Sequence, residues 1–294
     1  MSKSRVIGVI LALLGVVLFS AKAVIVKMAY QYPVDAVSLL LLRMLFALPM
    51  YLVVAVVKRP KDQAAMTKGV YLWIIGLGIV GYYLASLFDF LGLVYIKASL
   101  ERIILFVYPT IVLFISRVFF KKQITRRQLI AIVLTYLGIV LAFVLELRLD
   151  GEGLMMGVGL IFLSAVTYAS YIAGSGWLIP KIGATVFTSY AMIISCLCVI
   201  IHYLLVGDFN ITNYPTEVYV LGFVMAVFST VIPSYLVSLS IKMIGASSFA
   251  IVASFGPIST ILLANYFLGE SIHYLQWVGT ILVMIGVFFV TKKD

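Results

Sequence analysis

The chain has 294 residues, 64% of them hydrophobic and only 11% charged, with a mean hydropathy of +1.19. So few charges cannot cover a water-facing surface, and lipid suits the excess of apolar side chains. The formal charge of +10 would suit a nucleic-acid partner, but the basic residues sit in short clusters between apolar runs, where membrane topology needs them, so no nucleic acid is expected.

Apolar runs long enough to cross ~30 Å of hydrocarbon are predicted at 6–28, 36–57, 70–93, 98–120, 128–147, 154–178, 184–206, 218–241, 246–268 and 274–291. Turn and charge signals separate them: Tyr32-Pro33, Lys58-Arg59-Pro60-Lys61, Lys121-Lys122, Asp150-Gly151-Glu152-Gly153, Pro180-Lys181 and Gly207-Asp208. Lys3 and Arg5 ahead of the first run, with Ala21-Lys22-Ala23 inside it, imitate a secretory signal. Cleavage is not expected, because nine remaining spans would break the repeat described below. Alternate connections hold Lys58, Arg59, Lys61 and Lys68, then Lys121, Lys122, Arg126 and Arg127, then Lys181, Lys242, Lys292 and Lys293. The intervening ones hold Asp35, Glu146, Asp150, Glu152, Asp208, Glu217 and Glu270. Ten spans put every basic cluster on one side, which the positive-inside rule makes cytoplasmic, together with both termini.

The end of each half aligns with that of the other without a gap. Ile96-Lys97-Ala98-Ser99 matches Ile244-Gly245-Ala246-Ser247, and Pro109, Phe119, Gln128 and Gly138 match Pro257, Phe267, Gln276 and Gly286. Five spans is an odd number, so the second half enters the membrane inverted relative to the first. Inverted repeats place a substrate site near the midplane between them, and rocking about it gives alternating access. The expected fold is therefore an all-α membrane protein of about ten transmembrane helices, as two inverted five-helix repeats (1–150 and 151–294) around a central cavity.

The run from Gly245-Ala246-Ser247 to Pro257, then Phe267-Leu268-Gly269-Glu270, Gln276-Trp277-Val278-Gly279 and Gly286, resembles the last two helices of an EamA repeat of the drug/metabolite transporter superfamily. Ala98-Ser99-Leu100-Glu101-Arg102, Tyr108-Pro109-Thr110 and Tyr136-Leu137-Gly138 repeat the pattern more loosely. The resemblance implies a secondary transporter exporting a small metabolite, with a cavity lined mainly by helices one, three, four, six, eight and nine. It departs at Lys121-Lys122, where the second half has Gly269-Glu270, so any pairing by the family's acid is in doubt for the first half.

An ionised side chain near a helix centre costs roughly 2.5–3.5 kcal/mol. Lys22, Arg43, Asp89, Glu101 and Arg102 therefore each need a reason, and all five fall in the outer half of the first repeat. On the bland reading Lys22 and Arg102 snorkel to the interface while Arg43 pairs with Glu101 or Asp89 as internal glue; for Arg102 and Asp89 that reading is preferred. On the functional reading the cations Lys22 and Arg43 exceed Glu101 and attract a carboxylate such as that of an amino acid, with Tyr82, Ser86, Tyr108, Tyr168, Tyr171 and Ser234 lining the site. Glu101, with Asp89, is the candidate for proton coupling. Tyr82, Ser86 and Asp89 read as one stripe; Thr230, Ser234 and Ser238, and Thr167, Tyr168 and Tyr171, read as others. Glu101 shares its expected face with Leu105, Tyr108 and Val112. Pro109 and Pro257, at matching mid-span positions, are candidate gating kinks. Small-residue pairs such as Gly153/Gly157 and Gly245/Ser248 read as packing surfaces.

Cys196 and Cys198 are too close for an unstrained disulfide and lack further ligands nearby, so both read as packing residues and neither cofactor nor metal is expected. No phosphate loop, His-Glu-x-x-His or Gly-x-Ser-x-Gly occurs, and His202 and His273 sit near span ends as interfacial residues, so an enzyme is not expected. The rival readings are a cationic drug exporter, a flippase for a lipid-linked group and a membrane receptor. The expected partners are a small-molecule substrate and the lipid bilayer, with monomer and homodimer both open, in a bacterial cytoplasmic membrane.

Overall fold

The computed structural model describes residues 3–58, 66–120, 126–144, 153–244, 249, 252–253 and 255–291. The connections around Lys61, Lys121-Lys122 and Asp150, the motif Gly245-Ala246-Ser247-Ser248 and the C-terminal lysines lie outside them. Among the described residues the chain is helical, and the helices fall into ten spans numbered here in chain order. Span 1 is Lys3–Ala29, span 2 Ala36–Val57, span 3 Lys68–Tyr95 and span 5 Arg126–Val144. Span 4 is two helices, Ala98–Leu105 and Tyr108–Phe120. Spans 6 to 8 are Leu154–Ile182, Ala184–Val206 and Thr216–Ile244; Gly256–Leu268 belongs to span 9, and Tyr274–Thr291 is span 10. Spans 1, 2, 3, 6, 7 and 8 are each long and apolar enough to cross a membrane. Apolar side chains facing outward, such as Leu72, Val118, Leu205 and Tyr266, are more than half exposed, as lipid contact requires.

Local chemistry sets the boundaries. Asp35 accepts hydrogen bonds from the Val37 and Ser38 amides at the start of span 2, satisfying donors that a helix N-terminus leaves free. Gly183 stands at φ +88° between spans 6 and 7, a left-handed conformation open to glycine that lets the two helices follow with a single intervening residue.

Span 1 packs on spans 8 and 9, and span 6 on spans 3 and 4. Span 2 packs on 7 and 8, span 3 on 7, and span 5 on 10. Exchanging each span with the one five places away returns the same set, which is the two-fold relation between the inverted repeats. The correspondence reaches the backbone. A π-helical turn begins at Ile79 in span 3 and another at Val227 in span 8, and these residues match in the register that pairs Pro109 with Pro257. Such turns interrupt α-helices frequently at functional sites. At the first, the Cβ that Gly81 lacks would overlap the Tyr171 side chain, so glycine there lets spans 3 and 6 close together.

The prolines differ from the expectation of mid-span kinks. Span 4 parts after Leu105, and Pro109 falls in the first turn of the next helix; Pro257 likewise opens the helix Gly256–Leu268. At those positions the missing proline N–H has no intrahelical partner to lose. The chain breaks ahead of each proline rather than bending at it.

Candidate functional site

A cavity between the repeats is lined by Val16, Phe19 and Lys22 of span 1, Arg43 of span 2, and Gly81, Tyr82, Ala85 and Ser86 of span 3. Arg102, Leu105, Phe106 and Tyr108 of span 4, Ser164 and Tyr168 of span 6, Val237 of span 8, and Phe249 and Ala253 complete the wall. The space along this wall, together with open solvent at its mouth, amounts to about 780 Å³.

Arg43 is the most enclosed cation of this wall, 2% exposed. Its Nε donates to Thr230 Oγ1 at 2.7 Å and its Nη1 to Ser86 Oγ at 3.5 Å. The guanidinium carbon stands 5.3 Å from the Phe90 ring centroid, within cation–π range. Thr230 belongs to the π-turn of span 8 and donates in turn to the Met225 carbonyl. Among the described residues no carboxylate lies within 4 Å of Arg43, because both ion pairs found there are made by Lys22. The direct pairing of Arg43 with Glu101 or Asp89 is thus replaced by hydroxyl and ring contacts, and Asp89 acts on it only at longer range.

Lys22 does not snorkel. Its ammonium lies 2.7 Å from Asp89 and 3.5 Å from Glu101, and both acids are buried behind the wall. Asp89 has left the stripe of Tyr82 and Ser86: it follows Ser86 by three residues within the regular helix Ala85–Tyr95, and a three-residue step falls roughly 60° short of a full turn. Glu101 is parted from Tyr108 by the break after Leu105; Leu105 and Tyr108 meet the cavity and Glu101 does not. Arg102, read from sequence as an interfacial residue, also lines the cavity, and its Nη2 donates to Ser20 Oγ at 3.2 Å. The signal for it was available: a cation inside a span, one residue from an acid that needed a partner.

Aromatic rings form another part of the wall. Tyr82 packs edge-on to Tyr171 at 4.8 Å, and Tyr108 to Tyr168 at 5.2 Å. Tyr171 stands behind the lining, stacked on Phe187. Ser234 also sits behind it, 2.9 Å from the Tyr51 hydroxyl, while Ser238 bonds Thr188 at 2.7 Å; the polar face of span 8 is thus spent largely on spans 2 and 7. Phe106, Ser164 and Phe249 are lining residues that sequence reasoning passed over, since nothing in an apolar run marks which Phe or Ser faces a cavity.

Two polar devices lie outside the cavity. Glu270, after span 9, accepts from the Ala98 and Ser99 amides at 2.9 and 3.2 Å and from Ser99 Oγ at 2.6 Å. A second-repeat carboxylate thereby caps the first helix of span 4, where the helix dipole favours negative charge. At the rim, the Tyr214 hydroxyl donates to Asp208 at 3.1 Å and Asp35 at 3.3 Å. Asp208 also accepts from the Asn210 amide and from Tyr203. The Asn210 amide first, and then the hydroxyls, hold its carboxyl below the usual range.

A family model described as the EamA-like transporter family matches this chain twice, over residues 6–144 and 155–292. The chain belongs to that family. An "Uncharacterized transporter YcbK" of Bacillus subtilis is 32% identical over 96% of this chain and 91% of its own length. An "Uncharacterized transporter sll1319" of Synechocystis is 24% identical over 98% and 94%. A crystal structure with 13% identity superposes at a TM-score of 0.65 over 96% of this chain and 95% of its own, which shows the shared fold. This EamA-family chain is therefore a multi-pass membrane transporter, with Arg43, Lys22 and Arg102 as the cations of its cavity.

Proposed function

We propose that this transporter moves a small carboxylate-bearing metabolite, such as an amino acid, by alternating access and without catalysing a covalent reaction. The supporting observation is Arg43, buried in the cavity wall and aimed by Thr230 and Ser86 with no acid within 4 Å among the described residues. A guanidinium presents paired donors to a carboxylate, and leaving one unpaired in a membrane interior is costly unless a ligand supplies the charge. Tyr82, Tyr108, Tyr168 and Phe19 offer surface for an apolar body, the usual partition of a small-molecule site. Export across a bacterial cytoplasmic membrane, with both termini inside, is the direction and setting drawn from the family resemblance and the placement of lysine and arginine. One chain contains a whole cavity, so a monomer suffices on this reading.

The test is uptake and counterflow by purified protein in proteoliposomes, with amino acids, organic acids and cationic dyes. Saturable movement of carboxylates that is lost in Arg43→Ala supports the reading. Movement of cationic dyes alone overturns it.

A further inference from the structure

Two buried carboxylates and one partly buried ammonium stand together where spans 1, 3 and 4 meet. Asp89 and Glu101 are 1% and 0% exposed. Apart from the Lys22 ammonium, no hydrogen-bond donor reaches any of their four oxygens among the described residues. Ionised carboxylates in protein interiors ordinarily collect several donors, and two sharing one site resist ionising together. The other titratable groups of the surrounding elements make their hydrogen bonds elsewhere, while the charge of Arg102 is felt at Glu101 and that of Arg43 at Asp89. Lys27 donates to the Leu93 carbonyl and Tyr30 to that of Phe90. Arg43 is turned to Thr230 and Arg102 to Ser20, while Glu270 caps Ala98 and Ser99. Tyr82, Tyr108 and Tyr168 face the cavity. Of the three groups only Lys22 reaches the cavity wall, its side chain 13% exposed.

We propose that Asp89 and Glu101 share one dissociable proton, and that Lys22 is traded between this pair and an anionic group in the cavity. With the proton bound, the three groups sum to zero, and Lys22 faces a single carboxylate that a substrate anion can rival. With the proton gone, two carboxylates clamp Lys22, and their net negative charge repels an anion. Proton and anion therefore strengthen one another's binding, a coupling that is reciprocal by linkage, and loading both adds no net charge. The second half of the proposal rests on the carboxylate reading above; the first does not.

Infrared difference spectroscopy of the purified chain tests both parts. The wild type is expected to show the carbonyl stretch of a protonated carboxylic acid at neutral pH. That band should vanish in Asp89→Asn and equally in Glu101→Gln, because either remaining acid pairs with Lys22 and ionises, and it should persist in Glu270→Gln. No band, or loss in only one of the two variants, overturns the shared proton. The alkaline midpoint at which the band disappears should rise when acetate replaces chloride at equal ionic strength. An unchanged midpoint overturns the trade of Lys22 while leaving the proton pair standing. Absence of carboxylate flux with the band and its acetate response intact breaks the transport reading alone.

Discussion

Spans 3 and 8 carry the same π-helical turn at matching positions, yet different chemistry surrounds it. In the first repeat the turn leads to Tyr82, Ser86 and Asp89; the matching residues of the second are Thr230, Ser234 and Val237. Lys22 matches Ser170, Arg43 matches Ala191 and Glu101 matches Phe249. The first repeat supplies the charges of the cavity and, in Ser20 and Ser86, two of the hydroxyls that hold them, whereas the second supplies Thr230 and an apolar wall. The backbone plan is thus specified by elements both halves keep, the interrupted helices and the prolines after the breaks, and it tolerates opposite polarity on the same scaffold. Function concentrates where the halves stop resembling each other.

The comparison breaks first at Arg43. Arg43→Ala should lower carboxylate transport by about 10- to 100-fold, the worth of a hydrogen bond to a charged group, and Arg43→Lys should restore only part of it because the fork is lost. Ser234→Ala in the second repeat, behind the lining, should leave rates near wild type; equal losses in both would remove the asymmetry. Next comes the close contact of spans 3 and 6. Gly81→Ala should lower stability by about 1–3 kcal/mol through overlap with Tyr171, measured by thermal unfolding in detergent. Gly76→Ala, which meets nothing within 4 Å, should not.

The ten spans were legible because hydrophobic length and basic clusters report directly on a bilayer, and the repeat register was legible because it carries Pro109 and Pro257. Side-chain partners inside the bundle were less so. A helical wheel drawn through Tyr82, Ser86 and Asp89 assumes an unbroken α-helix, whereas Tyr82 lies in the π-turn; Ser86 and Asp89 share the regular helix after it, where a three-residue step turns Asp89 toward Lys22. The same assumption fails between Glu101 and Tyr108, where span 4 parts. Hydropathy carries no mark of either interruption, so the buried charges were recognised correctly as requiring partners while their partners were assigned to the wrong neighbours.

Two smaller effects sharpen the contrast between the halves. Glu270→Gln should cost about 0.5–2 kcal/mol of stability through the weakened cap on span 4, with transport retained. The first repeat has Lys122 at the matching position and cannot reciprocate with a carboxylate. At the rim, Asp208 is held below its unfolded pKa, so its contribution is present above the ordinary carboxylate range and is lost as pH falls through the lowered value. Wild type should therefore exceed Asp208→Asn in thermal stability at neutral pH, with the gap closing in acid. A gap independent of pH would detach that contribution from the carboxylate's charge.

The pairing of span 1 with spans 8 and 9 also dictates an order of biogenesis. Lys22 leaves the ribosome before Asp89 and Glu101 exist, so the first span must enter the bilayer with an uncompensated ammonium, at roughly 2.5–3.5 kcal/mol if it stays central. The cap on span 4 waits longer still, until Glu270 has been synthesised. The nascent amino-terminal half therefore stays unfinished within the membrane throughout translation, dependent on whatever shelters its polar groups until its carboxy-terminal twin arrives to close the bundle.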